Sequence, residues 1–492
     1  MIDIDSILAG DNINEKISAL KERSTKPHDW LELRKDYEPS LHKIVDDKQG
    51  RKDKIHSDGT KDTAARLTIG LERLLTKRMN EFTFAIPVKR NYFGADTDEK
   101  KEIVKAMERI YQVAHIDSVN KQRGLAYYAS CEVMTVWYTK KVKHNLYGFP
   151  CNYKLKCKTF SPMDGVELWP LIDEQGEMFA MSFGYKRKVK DTWVEFFETF
   201  TEDKHFLWKK SGDEGEWEVQ KDGEPISIGK IPAIYIYRHK PVWDGLTGIR
   251  EEIEYALSRH SDILAYNSAP ILKVAGSLVG EEQKGETRRI YRVTEGGDVS
   301  YVSWAQGNQA LEYYISTLMN MFFMQAQMPD ISFANMVRLG NIGFDARKTL
   351  FADAHLKIGD ESGAWIEFLE RENSIVKAFL KKLNVGFKEN DVDSILVENT
   401  ITPFIQEDEM LNIEKWMKAS GNSPLISPLE AIEAAGLSED PQATLAQILS
   451  MQAAQAAMGG QAGATMEMPT EGQEEETGIS ETINEGNEKE AV

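Results

Sequence analysis

The sequence predicts an α+β protein that divides into several regions. Residues 248–266 and 307–328 read as two amphipathic helices joined across a short β-rich insert at 269–304. Residues 132–241 switch to runs of β-branched and aromatic residues with strand-like alternation, an antiparallel β domain. At 492 residues the chain is too long for one core and should form two to four regions.

Bulk composition narrows the class. The chain is 41% hydrophobic and 28% charged, with a formal net charge of −19. Residues 459–492 hold nine Glu and one Lys and no aromatics, so they cannot bury enough apolar area to offset ordering and are expected to be disordered. Acidity argues against a tight grip on DNA by phosphate neutralisation, though not against letting DNA slide past. Cys131, Cys151 and Cys157 form no CxxC pair and have no paired His spacing, which favours idle thiols over a zinc site or disulfide. The acidic start "MIDIDSILAGDNINEK" is no signal sequence, and no stretch approaches the ~18 apolar residues of a membrane span. The chain is therefore expected to be cytosolic when made.

In chain order, residues 60–82 place Ala64, Leu67, Leu71, Leu74 and Leu75 on one helical face. A second helix is expected at 98–115. Asp222–Gly223 in the β domain reads as a hairpin turn. Residues 133–163 contain Lys140, Lys141, Lys143, Lys154, Lys156 and Lys158 and no acid, which reads as a solvated strand face or as a docking patch for an acidic partner. Thr247 is placed to cap the helix at 248–266, with Glu251, Glu252 and Glu254 where its dipole favours acids. Two or three short strands fit the insert, where Lys273, Lys284, Arg288, Arg289 and Arg292 balance Glu281, Glu282, Glu286, Glu295 and Asp298.

The helix at 307–328, roughly 33 Å long at 1.5 Å per residue, is apolar around most of its circumference. One polar stripe remains at Gln309, Glu312, Ser316, Asn320 and Gln327. A helix of this kind is buried on most sides. Either neighbouring copies flank it and the stripe faces a watery lumen, or it is the central helix of an ordinary core. Pro329 then opens a loop to 344 that contains Gly340 and Gly343. Asp345 is placed to cap a long helix to about 384, bent near Gly359 and Gly363, with a strand after it. Ser427, Pro428 and Glu430 form a capping box closed by Gly436, and Asp440–Pro441 starts a last helix.

Catalytic patterns are missing from the sequence. Gly229–Lys230 is followed by Ile231, so it is no P-loop, and there is no HExxH, GxSxG or Cys/His cluster. Asp353–His355 and His260–Asp262 read as ordinary helix positions. An enzyme is not expected, nor any cofactor or metal.

The order of elements over residues 60–450 resembles the portal (head–tail connector) proteins of tailed bacteriophages, siphophage type. The resemblance is carried by "LTIGLERLLTKRMNEFTFAIPV", "FSPMDGVELWPLID", "IGKIPAIYIYRHKP", "WDGLTGIREEIEYALSRHSDILAYNSAPILKVAG" and "TPFIQEDEMLNIEKW". Gly343–Phe344–Asp345 departs from the family's Ser–Gly pattern after its tunnel loop. The resemblance implies a wing at 1–243 and 346–405, holding the antiparallel β domain and the long bent helix. A two-helix stem follows at 244–268 and 305–328, with a small α/β clip at 269–304. A tunnel loop at 329–345, a helical crown at 406–458 and the disordered acidic tail complete the set. It also implies a ring, usually of twelve subunits, at one capsid vertex, assembled in the host cytoplasm. Double-stranded DNA enters through the ring during packaging by a separate terminase and leaves through it at ejection. A head–tail adaptor and capsid or scaffold protein are the other implied partners; no membrane is.

On that reading Gln309, Glu312, Ser316, Asn320 and Gln327 line the channel. Asp330, Asn335, Arg338 and Asn341 lie on the tunnel loop, with Arg338 and Asn341 nearest DNA. Lys273, Lys284, Arg288, Arg289 and Arg292 meet terminase or adaptor, unless clips pair with one another. The competing readings are a scaffold-like virion protein without a DNA channel and a hydrolase built on the β domain.

Overall fold

The computed structural model describes residues 4–24, 28–46, 48, 50–212, 215–267, 271–276, 278–284, 288–293, 297–302, 308–331, 349, 351–404, 409–421, 424–436, 438 and 440–458. The chain forms two units, Met1–Gln406 and Glu407–Val492. The acidic segment 459–492 lies outside the described residues.

The first unit is α+β. It begins with helices α1 (Ile4–Leu8), α2 (Ile13–Arg23) and α3 (Trp30–Tyr37), then the small pair β1 (Lys54–Ile55) and β2 (Lys61–Asp62). Helix α4 covers only Leu71–Phe84, so the helix expected from residue 60 starts eleven residues too early. Ala64 and Leu67 belong to an extended segment instead, and Gly70 marks the change of conformation. Strand β3 (Lys89–Phe93) leads to α5 (Asp98–Ala114), whose first turn is held by the Thr97 side chain, and α6 (Ile116–Ser130).

Eight strands follow: β4 (Glu132–His144), β5 (Cys151–Phe160), β6 (Glu167–Ile172), β7 (Met178–Val189), β8 (Thr192–Thr201), β9 (Lys204–Ser211), β10 (Trp217–Pro225) and β11 (Ala233–Tyr237). They form a five-stranded sheet, β10-β9-β8-β7-β6, and a three-stranded sheet, β11-β4-β5, with every pair antiparallel. The sheets meet over Met134, Val136, Leu168, Met181, Phe183 and Phe200. On the far side of the larger sheet, Leu8, Ile17 and Leu20 pack against Phe197, Phe206 and Trp208. Asp222–Gly223 is not a hairpin turn. The β10–β9 register shifts between Lys221 and Glu224, leaving the pair as a bulge. Gly223, at φ 71°, lies against the Phe206 ring, where a Cβ would stand 3.3 Å from it.

Two more helices and an insert come next: α7 (Thr247–Asn267), β12 (Ile271–Ala275), β13 (Leu278–Lys284), β14 (Arg288–Val293), β15 (Asp298–Val302) and α8 (Asn308–Ala326). Thr247 is the first residue of α7 and not its cap. The turn before it buries Trp243 and Leu246, and helical bonding starts from the Leu246 carbonyl. The insert holds four strands in two antiparallel pairs, β12 with β15 and β13 with β14, where two or three were expected, and no helix among its described residues.

Helix α9 (Ala352–Leu383) is 32 residues long and continuous through Gly359 and Gly363, while Asp345 lies outside the described residues. After α10 (Glu389–Ser394), strand β16 (Leu396–Thr400) pairs with β3. A buried ion pair locks the centre: Arg123 of α6 donates to both Glu372 oxygens of α9 at 2.7 and 3.0 Å, and the Trp137 indole of β4 donates to Glu372 at 3.1 Å. The second unit contains α11 (Glu409–Ala419), α12 (Pro428–Ala435) and α13 (Pro441–Met458). The Ser427–Glu430 capping box is formed, Gly436 ends α12 at φ 68°, and Asp440 accepts from the Ala443 N–H.

Candidate functional site

Helices α7 and α8 pack on each other, and each divides into sectors with different partners. One stripe of α7 is polar, buried at Glu254 and Ser258 and half-buried at Asp262. Its members Glu254, Ser258 and Asp262 are four residues apart and therefore stack on one face. They accept the N–H groups of Ile69 (2.9 Å), Leu67 (2.8 Å) and Ala65 (2.8 Å). Alternate amides of an extended chain recur every ~6.8 Å, and a helix advances ~6 Å over four residues. The near match lets residues 64–69 lie along α7 as a strap. Arg51 fastens it by donating to Asp262 at 2.6 Å and to the Ala65 carbonyl at 2.8 Å. Residue periodicity alone did not reveal this strap, because its acceptors lie nearly two hundred positions away.

The base of α7 is a charge cluster. Arg250, buried, donates to Glu72 (2.9 Å), Glu254 (3.1 Å) and Asp36 (3.1 Å). Both ring nitrogens of buried His42 face acceptors, Glu254 at 2.5 Å and the Asp36 carbonyl at 2.8 Å. Burial pushes the Glu72 carboxyl up, against the opposing charge of Arg250. Burial also works to raise Glu254, but hydrogen bonds from His42 and the Ile69 N–H hold it below its ordinary value.

Helix α8 buries Phe322 and Ala326, with Met328 just beyond it. At about 100° per residue, Glu312, Ser316 and Asn320 span a sector of about 80° on its other side, and all three are exposed. Tyr313, Met324, Met321 and Tyr314 continue the exposed surface for about another 100°. Tyr313 is 75% and Met324 70% exposed, and the Tyr314 hydroxyl reaches Glu252 of α7 at 3.0 Å. Gln309 belongs to α8 by its backbone, and its side chain lies outside the description. Gln327, exposed, ends the helix in the left-handed region at φ 52°. The Met328 N–H returns to the Phe323 carbonyl at 3.2 Å, and Lys357 of α9 donates to the Ala326 carbonyl at 2.6 Å. Burial, with Arg238 nearby, lowers the Lys357 ammonium to about 8.

Asp330 is half-buried just past α8, whereas Asn335, Arg338 and Asn341 lie outside the described residues. In the insert, exposed Lys273 sits on β12 opposite Ser300. Lys284 pairs with Arg288, Gln283 with Arg289 and Gly280 with Arg292 across β13–β14. Of the His–Asp pairs in the sequence, Asp262 accepts from the strap at Ala65, and His355 contacts the Phe404 carbonyl at 3.1 Å. Burial pushes the Cys131 and Cys157 thiols up to about 12, leaving them protonated and unreactive. No cluster of potential metal ligands occurs among the described residues.

The family model described as "Phage portal protein, SPP1 Gp6-like" matches residues 18–458. No curated protein matches the chain. Solved structures similar to it include the neck of an empty GTA particle computed with C6 symmetry, at 9% identity and TM-score 0.38, covering 74% of this chain and 89% of that one. The neck of a native GTA particle computed with C12 symmetry has 9% identity and TM-score 0.38, covering 86% and 98%. The virion of a native gene transfer agent particle has 10% identity and TM-score 0.35, also covering 86% and 98%.

Proposed function

The chain belongs to the phage portal proteins of the SPP1 Gp6-like family, and from that membership we propose that its copies close into a ring at one capsid vertex, with α7 and α8 as the stem around the bore. Portal proteins are structural, non-catalytic virion components that give DNA its passage. The observation that carries the finer reading is the divided exposed side of α8. A contiguous apolar sector on a single chain invites burial. A copy of the chain placed against Tyr313, Met321 and Met324 would bury that sector and leave Glu312, Ser316 and Asn320 facing the centre.

Ring symmetry gives this stripe its purpose. Each Glu312 is repeated once per subunit, so the bore carries a circle of negative charge with Gln309, Ser316, Asn320 and Gln327 beside it. DNA bears one charge per ~1.7 Å of axis. Basic circles would hold it in place, whereas polar or acidic ones leave it mobile. Asp330, Asn335, Arg338 and Asn341 follow the stem helix, and of these Arg338 and Asn341 would meet DNA most closely. Lys273 and the β13–β14 residues Lys284, Arg288, Arg289 and Arg292 form the clip surface for terminase during packaging and for the head–tail adaptor afterwards. Twelve subunits is the proposed stoichiometry, with the β domain and α9 as the wing and α11–α13 as the crown.

Sedimentation and negative-stain imaging of the purified protein test this. The expected species is many times the 55.8 kDa chain mass, with a central hole. Single chains at every concentration, without annular particles, overturn it, and large particles lacking a hole favour a scaffold-like role.

A further inference from the structure

The β4–β5 hairpin is strongly basic within an acidic protein. It carries Lys140, Lys141, Lys143, Lys154, Lys156 and Lys158, with no acid between residues 133 and 163. None of the six is ion-paired among the described residues. The register sets Lys140 opposite Lys154, Tyr138 opposite Lys156 and Val136 opposite Lys158. Side chains alternate along strands, so Lys140, Lys154, Lys156 and Lys158 share one face with exposed Tyr138. The face begins at buried Met134 and Val136, and the Lys158 ammonium stands 4.7 Å over the Phe160 ring.

Folding does not account for this ladder. Like charges directly opposite one another destabilise a strand pair. Lysines often protect an open sheet edge, and β5 is an edge strand. Here, however, the Leu155 N–H already donates to the buried Tyr147 hydroxyl at 2.8 Å, so a side chain occupies that edge. The same contact stands where an acidic peptide would have to join the sheet as a further strand. The spacing suits a phosphate backbone. Lysines two residues apart on a strand are ~6.8 Å apart, about the separation of neighbouring phosphates on one DNA strand once their winding is added to the ~3.4 Å rise per step. Lysine ammonium groups bind phosphate as point charges.

We propose that this face of the β4–β5 hairpin binds the phosphate backbone of duplex DNA lying outside the ring's bore. The inference rests on the portal reading for its ring and its DNA. The test uses the assembled full-length protein and a relaxed, covalently closed circular plasmid, which cannot thread a closed ring. Intact protein is expected to retain the plasmid at 50 mM salt and release it at 200 mM. The triple variant Lys154→Gln, Lys156→Gln, Lys158→Gln is expected to bind at least tenfold more weakly. Its log–log salt slope should be shallower by about 2.7, since each phosphate contact contributes about 0.9. Rings that bind linear but not closed DNA, a triple variant that binds as well as the parent, or retention of poly-glutamate in preference to plasmid each overturn the proposal, the last assigning the face to an acidic protein. Absence of rings in micrographs removes the portal assembly instead, and ladder-dependent plasmid binding by such ring-free protein still supports a DNA-binding face.

Discussion

Lys357 is the residue at which pH should be felt. Its ammonium is mostly buried, next to Arg238, and donates to the last turn of α8. Its pKa falls from an ordinary 10.5 to about 8. Between those values the unfolded chain binds the proton that the folded chain releases, so stability rises with pH across the window from about 8 to 10.5. Below about 8 the full cost of burying the charge applies. At about 1.4 kcal/mol per unit this is on the order of 3 kcal/mol. Lys357→Met, which keeps the stem and removes the charge, should raise stability at pH 7 and flatten the rise between pH 8 and 10.5. Chemical denaturation at several pH values reads both effects. An unchanged pH profile in the variant would show that Lys357 is solvated in the native state.

At the scale of elements, the strap on α7 shows what local patterning reveals and what it hides. Ser258 is fully buried and accepts from the Leu67 N–H, so Ser258→Ala removes that acceptor, at a cost of about 0.5–1.5 kcal/mol. Amide exchange should accelerate at Leu67 before it changes in α4, and uniform acceleration across both would mean that the strap is no separate unit. Residues 64–69 were readable as helix because Ala64, Leu67 and Leu71 follow a helical period. The competing hydrogen bonds come from Glu254, Ser258 and Asp262, and nothing near residue 65 announces them. Elements whose signals are local were legible: the Ser427 capping box, the β domain and the extents of α7 and α8 to within two residues. The bulge at Asp222–Gly223 was not, because it is a feature of the pairing of β10 with β9, which the dipeptide itself does not encode. The polar stripe of α8 was readable from spacing alone. Its surroundings were not, since in the proposed ring they would be supplied by other copies of the chain.

For the whole molecule the question is what keeps identical, net-acidic chains together. A formal charge of −19 per chain opposes association, so contact must come from surfaces where charge is sparse. The Tyr313–Met324 sector of α8 is such a surface. Burying one large apolar side chain contributes about 1.5–3 kcal/mol, and a closed ring repeats that gain at every interface. Tyr313→Asp with Met324→Asp would instead place two new charges where a neighbour packs. Both positions are largely exposed in the single chain, so the variant should melt within a few degrees of the parent. In sedimentation it should shift from the ring towards 55.8 kDa chains. Glu312→Gln, in the adjoining polar sector, should leave assembly intact, because that side chain faces the bore on this reading. If the double variant forms rings as readily as the parent while Glu312→Gln disrupts them, the two sectors of α8 have their roles exchanged and the charged stripe is the subunit contact.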